Sequence, residues 1–553
     1  MDKPPTINSE ESEEVTPTEE SNGKPHHKQR IFDDFYDTIP RLEILGYGIF
    51  LICYYCTIIY KFCKLSKKRE ASLLEYNYIH EGWSMINRGQ DSDFEWDYWL
   101  SQLTRPFLGL LISYILLCRA VEFFIPKYRE TCLILSGLGF LYGVFNWRVI
   151  TCLILLTIIT YCVSRTRMKS LIWISAIFQM CMFNIDYFQQ WIDMVIDPDD
   201  YNDFNFLTSL CLLKFLSFSL DCCDEKTTPL CPVTKRKQDT LFDLFVYNFY
   251  LPLFLLGPIH VYPKFREQMN QAVQPWNKDK YVCCFWEALH YFGWMFFIEI
   301  ALHYCYHPSL TFDTITLKNA SYVECAGYVM CSLLYFQIKY MALYGFPRLL
   351  CLLDGLDSPK PPMCIHAMYT FKDMWRFFDR GLHEFMVRYV YIPLGGSKAG
   401  FLRQQLSSIL CFAMITFWHG GGTNIIYWGI TNWAGLTVET LVEVTLKSHV
   451  PDEPTWVSGA MRRRLMAAFR GLMYVCLFPS NMFFLSGVRV GKLVTSKLLF
   501  SGNLLHPFLT WFFYYSIVQI LLEVYHKWGK RYICLKSYYF MGSRKPVNKD
   551  KDQ

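Results

Sequence analysis

The chain has 553 residues, of which 52% are hydrophobic, 18% aromatic and only 19% charged. Its formal net charge of +5 is small and spread over the loops, which excludes the dense basic face of a nucleic-acid-binding protein. The apolar residues form long uncharged blocks instead of alternating with polar ones, which excludes an ordinary soluble domain. The sequence therefore predicts an all-α polytopic membrane protein.

The N-terminal 30 residues are polar, rich in Glu, Ser, Thr and Pro, and lack the apolar core of a secretory signal peptide. We expect residues 1–40 to be a disordered cytosolic head, residues 41–540 to form one membrane domain, and residues 541–553 to be a short flexible tail. Basic residues follow the first apolar run and predict that this flank faces the cytosol: Lys61, Lys64, Lys67, Lys68 and Arg69.

Apolar runs near the length of a membrane span recur along the chain. A helix of about 20 residues crosses a hydrocarbon core of roughly 30 Å, and about eleven runs approach that length. Several runs are short or carry a charge, which is typical of broken or re-entrant helices that line a cavity within the protein. In residues 241–259, Pro252, Gly257 and Pro258 interrupt one such run. We expect about 10–12 transmembrane or re-entrant helices.

Trp418-His419-Gly420-Gly421 ends the apolar run 409–418. Burial disfavours a charged imidazolium, and an ionisable side chain at membrane depth indicates a functional site. His419 is therefore the leading candidate for chemistry. Three other histidines lie in or beside apolar runs without a glycine-rich or carboxylate context, and we interpret them as structural: His260, His290 and His303.

Residues 371–397 mix charged and bulky aromatic side chains. If this segment is one helix, Trp375, Asp379 and His383 fall on the same face. A buried carboxylate is costly unless it is paired or hydrogen-bonded. Asp379 is thus either the partner of a nearby arginine or a group that polarises His419.

Cys364 stands apart from most of the 22 cysteines, many of which lie in apolar runs, and no zinc-binding spacing appears. It follows Pro359, Pro361 and Pro362, which keep the segment non-helical. The thiol could be S-acylated, could ligate haem iron, or could do neither. The basic clusters 235–237 and 462–464 are either cytosolic topology markers or sites for an anionic headgroup or a phosphorylated cofactor.

The segment FKDMWRFFDRGLHEFMVRYVYIPLGG, followed by an apolar run and FWHGG, resembles the membrane-bound O-acyltransferase family. Further stretches are similar to the branch of that family that palmitoylates Hedgehog signalling proteins: DFEWDYWL, SFSLDCC, GPIHVYPKF, GFPRLLCLLDGL, PPMC, NWAGLTVE and SNMFFLSGVRVGK. The resemblance covers nearly everything from about residue 40 onward.

This resemblance implies helices arranged around a central reaction chamber. It also implies transfer of palmitate from palmitoyl-CoA to the N-terminal cysteine amine of a Hedgehog signalling domain, at the endoplasmic reticulum or Golgi membrane. The expected partners are that domain, palmitoyl-CoA and membrane lipid, without nucleic acid. Two alternatives stay open: a catalytically silent relative that regulates acylation, and an acyltransferase for another protein or lipid. A transporter is disfavoured because the sequence has no self-similar halves.

Carried over to this chain, the resemblance implies that His419 and Asp379 are the essential pair, with His419 as general base. It implies that Trp375 and Arg376 line the reaction chamber and the acyl-CoA path, and that Asn481 lies near the reaction centre. Trp375 or Asn481 would bind the developing oxyanion.

Two further expectations concern cofactors. Cys364 matches the haem-binding cysteine of the family, which implies a haem b ligand at this position. The CoA phosphates require basic residues, and the candidates are Arg376 and the cluster 462–464.

Overall fold

The computed structural model describes residues 38–103, 106–223, 239–254, 257–271, 278–449 and 458–538. The predicted head lies outside these ranges except for residues 38–40, and the predicted tail 541–553 and the basic cluster 235–237 lie wholly outside them. The described residues are overwhelmingly helical, and the only strands among them are the antiparallel pair His80–Glu81 and Gly89–Gln90.

The helices of the first half are α1 Arg41–Glu75, α2 Phe94–Leu103, α3 Pro106–Phe124, α4 Arg129–Val144, α5 Trp147–Arg165, α6 Lys169–Asn184, α7 Asp186–Asp193, α8 Tyr201–Cys223, α9 Leu241–Asn248, α10 Leu251–Phe254 and α11 Tyr262–Met269. Those of the second half are α12 Lys278–Leu302, α13 His307–Leu310, α14 Thr314–Asn319, α15 Tyr322–Leu353, α16 Phe371–Phe377, α17 Arg380–Met386, α18 Phe401–Trp418, α19 Thr423–His449, α20 Gly459–Leu499 and α21 Leu505–Tyr538. The prediction of an all-α protein is confirmed.

Within the described residues, five helices are long and apolar enough to cross a membrane: Arg41–Glu75, Trp147–Arg165, Pro198–Cys223, Gly459–Leu499 and Leu505–Tyr525. A sixth span results if α6 and the next helix are counted together across their 83° bend. Such a bend is typical of a broken span or a re-entrant loop. The chain is thus a multi-pass membrane protein, and the higher number of about 10–12 spanning or re-entrant helices stays a prediction.

Helix α15 is the central support of the fold. Ser321 and Glu324 form a capping box at its start, so two backbone N–H groups that the first turn cannot satisfy find side-chain acceptors. Most of its side chains are buried, and it packs against α1, α12 and α20. A helix that is buried on all sides fits the weak amphipathicity of this part of the sequence.

Two segments with irregular sequence signals are indeed broken. The run 241–259 divides into α9 and α10, and residues from Gly257 continue in a non-helical conformation, as its prolines predict. The prediction of one helix beyond residue 371 is wrong, because Asp379 separates α16 from α17 and Val387–Tyr391 is a π-helix. Asp379 has extended backbone angles, and its carboxylate accepts the Leu382 N–H, so it caps α17 instead of continuing α16.

Candidate active site

A cavity of about 870 Å³ lies among helices α2, α6, α8 and α15 to α20. Its walls include five of the six site residues predicted from the sequence: His419, Asp379, Trp375, Arg376 and Asn481. These residues come from four different helices or helix ends, so the fold brings together groups that are far apart in the chain. The volume is typical of a small-molecule site.

The turn that carries His419 has a defined C-terminal cap. The Gly421 N–H donates to the Thr416 carbonyl at 3.0 Å, and the Gly420 N–H donates to the Phe417 carbonyl at 3.1 Å. This pair of bonds is the Schellman motif, which requires a left-handed residue after the helix. Gly420 has a φ of +100° and Gly421 one of +63°, which explains the two glycines after the histidine. The motif ends α18 at Trp418 and places His419 at the cavity wall.

Two neighbouring helices hold this turn in place. The Asn184 side chain at the end of α6 donates to the Phe417 carbonyl at 2.9 Å. The Trp418 indole donates to the Ser209 carbonyl of α8 at 3.0 Å. Both bonds satisfy groups near the end of α18 without using the imidazole, so they orient His419 and leave its ring nitrogens available. Sequence reasoning missed Asn184 and Ser209, because nothing in their local pattern indicates a contact more than 200 positions away.

Three aromatic rings surround the His419 imidazole. Its centroid lies 4.7 Å from Trp418, 5.8 Å from Trp428 and 5.4 Å from Phe484, all in edge-to-face geometry. The ring is accessible because it faces the cavity, yet the protein around it removes it from bulk water. No hydrogen bond to either ring nitrogen occurs within the described ranges. His419 lies outside the five candidate spanning helices, and burial lowers its pKa to about 4, so the imidazole is neutral at pH 7.

Trp375 belongs to the same aromatic cluster. Its ring lies 4.5 Å from Phe412 and 5.5 Å from Trp428, the residue that also contacts His419. Its indole Nε1 is buried and has no hydrogen-bond partner within the described part of the chain. A buried donor without a partner is costly, and an acceptor atom of a substrate in the cavity would satisfy it.

Asn481 contributes a side-chain amide to the cavity wall, in addition to the Trp375 indole. It lies three residues before Phe484 on α20, and both residues line the cavity. Because residues three apart share a helix face, the contact of Phe484 with His419 places Asn481 on the face directed toward the reaction centre.

Asp379 lies in the cavity wall. Its carboxylate bonds neither to an arginine nor to His419, the two partners expected from the sequence, within the described residues. One carboxylate oxygen accepts the Leu382 N–H at 2.9 Å, and the other accepts the Tyr344 hydroxyl at 3.1 Å. Burial raises the pKa of Asp379, and these two donors partly oppose that rise.

Aromatic contacts connect Asp379 to the histidine. Phe378, its neighbour in sequence, stacks on Phe336 at 5.2 Å, and Phe336 lies 5.7 Å from Phe484, which touches His419. The two predicted catalytic residues therefore share one cavity and one continuous packing cluster, without a direct bond between them.

Tyr344, which sequence reasoning missed, lies next to a buried ionic cluster. Lys339 forms ion pairs with Asp93 at 2.7 Å and with Glu95 at 2.8 Å. The Tyr340 hydroxyl also donates to Glu95 at 3.2 Å. Lys339 alone indicates that an ion pair lies here, because a lysine inside an apolar helix requires a counter-charge. Its partners could not be inferred from their local sequence.

One part of the cavity wall is apolar. It is formed by buried side chains from α6, α8, α17 and α18, all in one hydrophobic cluster: Met180, Leu212, Leu382, Met386 and Ile415. A surface of this kind suits a saturated hydrocarbon chain. Arg376 supplies a cation at the wall, with its guanidinium 5.9 Å from the Phe377 ring centroid.

Cys364 is exposed and is not among the cavity-lining residues, although the next residue, Ile365, is. It precedes the short 3-10 helix Ile365–Ala367, whose Ala367 N–H donates to the Cys364 carbonyl at 2.9 Å. A free, exposed thiol on irregular backbone is accessible to a metal ion, which is what a thiolate ligand requires.

The expectation that the whole cluster 462–464 meets CoA phosphates is wrong for two of its members. Arg463 is fully buried and pairs with Glu523 at 2.9 Å, while Arg464 pairs with Glu43 at 2.6 Å. Their charges are already neutralised by acidic partners, and the cluster does not line the cavity. Arg376 is the candidate that the cavity retains.

Comparison with known proteins gives a family match and several similar proteins. The model of the membrane-bound O-acyltransferase family matches residues 158–488. The chain is 29% identical to the protein-cysteine N-palmitoyltransferase HHAT of Mus musculus over 458 residues, covering 80% of this chain and 90% of that protein. It is 26% identical to the protein-cysteine N-palmitoyltransferase Rasp of Drosophila melanogaster over 484 residues, covering 84% and 91%. It is also 24% identical to the mouse HHAT-like protein over 451 residues, covering 80% and 87%.

The family match and the similarity to named acyltransferases identify a membrane-embedded enzyme, and the helical fold agrees with that class. The chain belongs to the membrane-bound O-acyltransferase family, and its class of reaction is acyl transfer. The family resemblance expected from the sequence is confirmed.

Proposed function

We propose that this protein transfers palmitate from palmitoyl-CoA to the N-terminal cysteine amine of a Hedgehog-type signalling protein, at the endoplasmic reticulum or Golgi membrane. The observation that carries the proposal is the cavity itself. It combines an apolar wall with a neutral histidine and an indole donor that have no hydrogen-bond partner among the described residues. The similarity to HHAT and Rasp, both named as protein-cysteine N-palmitoyltransferases, supports this choice of donor and acceptor.

In this proposal His419 is the general base. The acceptor amine attacks the thioester carbonyl, a new C–N bond forms, and the C–S bond to CoA breaks. His419 takes the proton that the amine loses, and its lowered pKa keeps the ring in the basic form at neutral pH. The proton then neutralises the departing CoA thiolate, so the ring returns to its starting state.

Trp375 and Asn481 are the proposed donors for the oxyanion that develops on the carbonyl oxygen. The Trp375 indole carries the stronger argument, because its N–H has no other partner within the described residues. A preorganised donor of this kind contributes about 2.7–4 kcal/mol in enzymes where it has been measured. Asp379 keeps α17 and Tyr344 in place and supplies negative charge to the chamber that holds the protonated histidine.

The remaining residues bind the substrates and a structural cofactor. Arg376 is the proposed contact for CoA phosphate groups, and the apolar wall around Met180 and Met386 is the proposed place for the acyl chain. Cys364 would hold haem iron through its thiolate, which would supply a structural crosslink near the cavity. None of the transfer steps above depends on that haem.

The test is transfer of labelled palmitate from palmitoyl-CoA to a synthetic peptide that begins with the Hedgehog N-terminal cysteine. We expect a hydroxylamine-resistant amide product with a free N-terminus and none with an acetylated N-terminus. A peptide with serine in place of the cysteine separates direct attack by the amine from attack by the thiol followed by migration. Well-folded protein that transfers nothing to the free peptide would contradict the proposal and favour another acceptor or a silent regulator.

A further inference from the structure

The buried face of α1 is fixed against two short segments by hydrogen bonds one turn apart. The Ser66 hydroxyl accepts the Tyr306 N–H at 3.1 Å, and Glu70 accepts the Gly89 N–H at 3.2 Å. Both side chains are buried, so the register of α1 relative to these segments is tightly determined. Cys63 lies one turn before Ser66 and therefore points to the same side of the helix.

Two thiols meet at this position. The Cys63 Sγ lies 3.5 Å from the Cys305 Sγ, and both side chains are half-buried. The residues are 242 positions apart in sequence and join α1 to the turn between α12 and α13. A third thiol, Cys331 on α15, interacts with Cys305.

The backbones of α1 and α15 approach closely beside these thiols. A Cβ at Gly327 would overlap the Ile58 carbonyl oxygen and would lie 2.7 Å from the Phe62 Cβ. Gly327 is one helical turn before Cys331, and Phe62 directly precedes Cys63. The missing side chain at Gly327 thus permits the approach that brings the cysteines together.

A partly buried arginine, Arg88, lies beside the residues that flank Cys305 and pairs with Glu70 at 3.6 Å. The Arg88 guanidinium is 4.9 Å from the Tyr304 ring and 5.7 Å from the Tyr306 ring, the two neighbours of Cys305. Its Nη2 is buried and has no hydrogen-bond partner within the part of the chain that the structure describes. These ring contacts hold the turn that carries Cys305 in place beside α1.

We propose that Cys63 and Cys305 are a redox modification site and that they close to a disulfide that ties α1 to the turn between α12 and α13. The oxidant is a peroxide: the two thiols give up two hydrogen atoms, one S–S bond forms, and hydrogen peroxide is reduced to two molecules of water. Closure requires the sulfur atoms to approach from van der Waals contact to the bonding distance of about 2.05 Å. One thiol is first oxidised to a sulfenic acid with release of one water, and the second thiol then displaces the other water as the S–S bond forms.

The experiment treats purified full-length protein with hydrogen peroxide, blocks the remaining thiols with an alkylating reagent, and analyses the peptides by mass spectrometry without reductant. We expect a peptide that contains both Cys63 and Cys305, reversal by dithiothreitol, and loss of two alkylatable thiols per chain. Cys53, an exposed cysteine on the same helix, is the matched control and should form no crosslink within the chain.

A second measurement follows thermal unfolding before and after oxidation. The midpoint should rise in the wild type, because the disulfide constrains the unfolded chain, and should stay unchanged in Cys63→Ser. Cys63 and Cys305 that remain alkylatable while Cys53 is oxidised would overturn the proposal. A dominant link between Cys305 and Cys331 would also overturn it.

Discussion

The turn at His419 and the cluster around Arg463 both hold polar groups away from bulk water, but they differ in how those polar groups are satisfied. Arg463 donates to the Gln519 side chain at 3.1 Å, to the Gln519 carbonyl at 3.0 Å and to Glu523 at 2.9 Å. In the cavity, the His419 ring and the Trp375 indole have no protein partner among the described residues.

This difference separates polar groups that stabilise the fold from polar groups that bind substrate. Each of the three guanidinium nitrogens of Arg463 donates to α21, so this buried charge links α20 to α21 and is not directed at a ligand. Unused donors and acceptors that face a cavity are tolerated because a substrate supplies their partners. Substitutions at Arg463 should therefore change stability, and substitutions in the cavity should change turnover.

The largest stability effect is expected for Arg463→Met. Removing the guanidinium breaks the buried ion pair with the Glu523 carboxylate, which should lower the free energy of unfolding by about 3–5 kcal/mol. Thermal unfolding of the detergent-solubilised protein measures this loss. The double variant Arg463→Met/Glu523→Leu should recover most of it, and failure of that recovery would show that the pair is not the source of the loss.

Trp375→Phe should reduce turnover by about 10²–10³-fold if the indole N–H stabilises the oxyanion. The phenyl ring retains contact with Phe412 and Trp428, so the midpoint of thermal unfolding should change little. Trp96→Phe is the matched control, because the Trp96 indole donates to Glu299 at 2.6 Å and is already used. The control should lose stability and keep its turnover; the reverse pattern would contradict the assignment.

Tyr344→Phe should lower turnover by about tenfold, the size of one hydrogen bond to a charged group of about 1.5 kcal/mol. The substitution removes the hydroxyl donor from Asp379 and leaves the Leu382 N–H in place. Steady-state kinetics with palmitoyl-CoA and the acceptor peptide would report the change. Unaltered kcat would show that Asp379 does not depend on this donor.

The smallest effect concerns pH. Only the neutral form of His419 can accept a proton, and burial lowers its pKa to about 4, so the neutral form persists as the pH falls. The acceptor amine must also be neutral to attack, and its ordinary pKa is about 7.7–8.0, so turnover is first corrected for the neutral fraction of the amine. The corrected turnover with saturating substrates should change less than about twofold between about pH 7.5 and 5.5, whereas an ordinary histidine pKa of about 6.5 would give a roughly tenfold decrease. An acid limb centred near the ordinary value would contradict the burial of His419.

The sequence predicts the cavity residues better than it predicts their interactions. His419 is recognisable from two features of the sequence. A histidine at the end of an apolar run indicates a functional group, and the two glycines that follow indicate a left-handed turn after a helix. The division of the segment at Asp379 is not recognisable, because a carboxylate inside a helical pattern also fits an uninterrupted helix. In the folded protein the Asp379 carboxylate accepts the Leu382 N–H, so Asp379 caps α17 instead of continuing α16.

Contacts between distant segments set the other limit. Lys339 pairs with residues about 245 positions earlier, and no local periodicity encodes that choice. The cluster 462–464 illustrates the opposite error. A run of arginines has the same appearance whether it faces solvent or pairs internally, and here Glu523 and Glu43 bind two of its members.

The most direct test of the account is His419→Ala, measured for both turnover and thermal unfolding. The imidazole faces the cavity and makes no hydrogen bond within the described ranges, so its removal should leave the unfolding midpoint nearly unchanged. Amide-linked transfer of palmitate should fall by about 10²–10⁴-fold. Transfer at the wild-type rate by the folded variant would contradict the claim that this unpartnered histidine carries the chemistry.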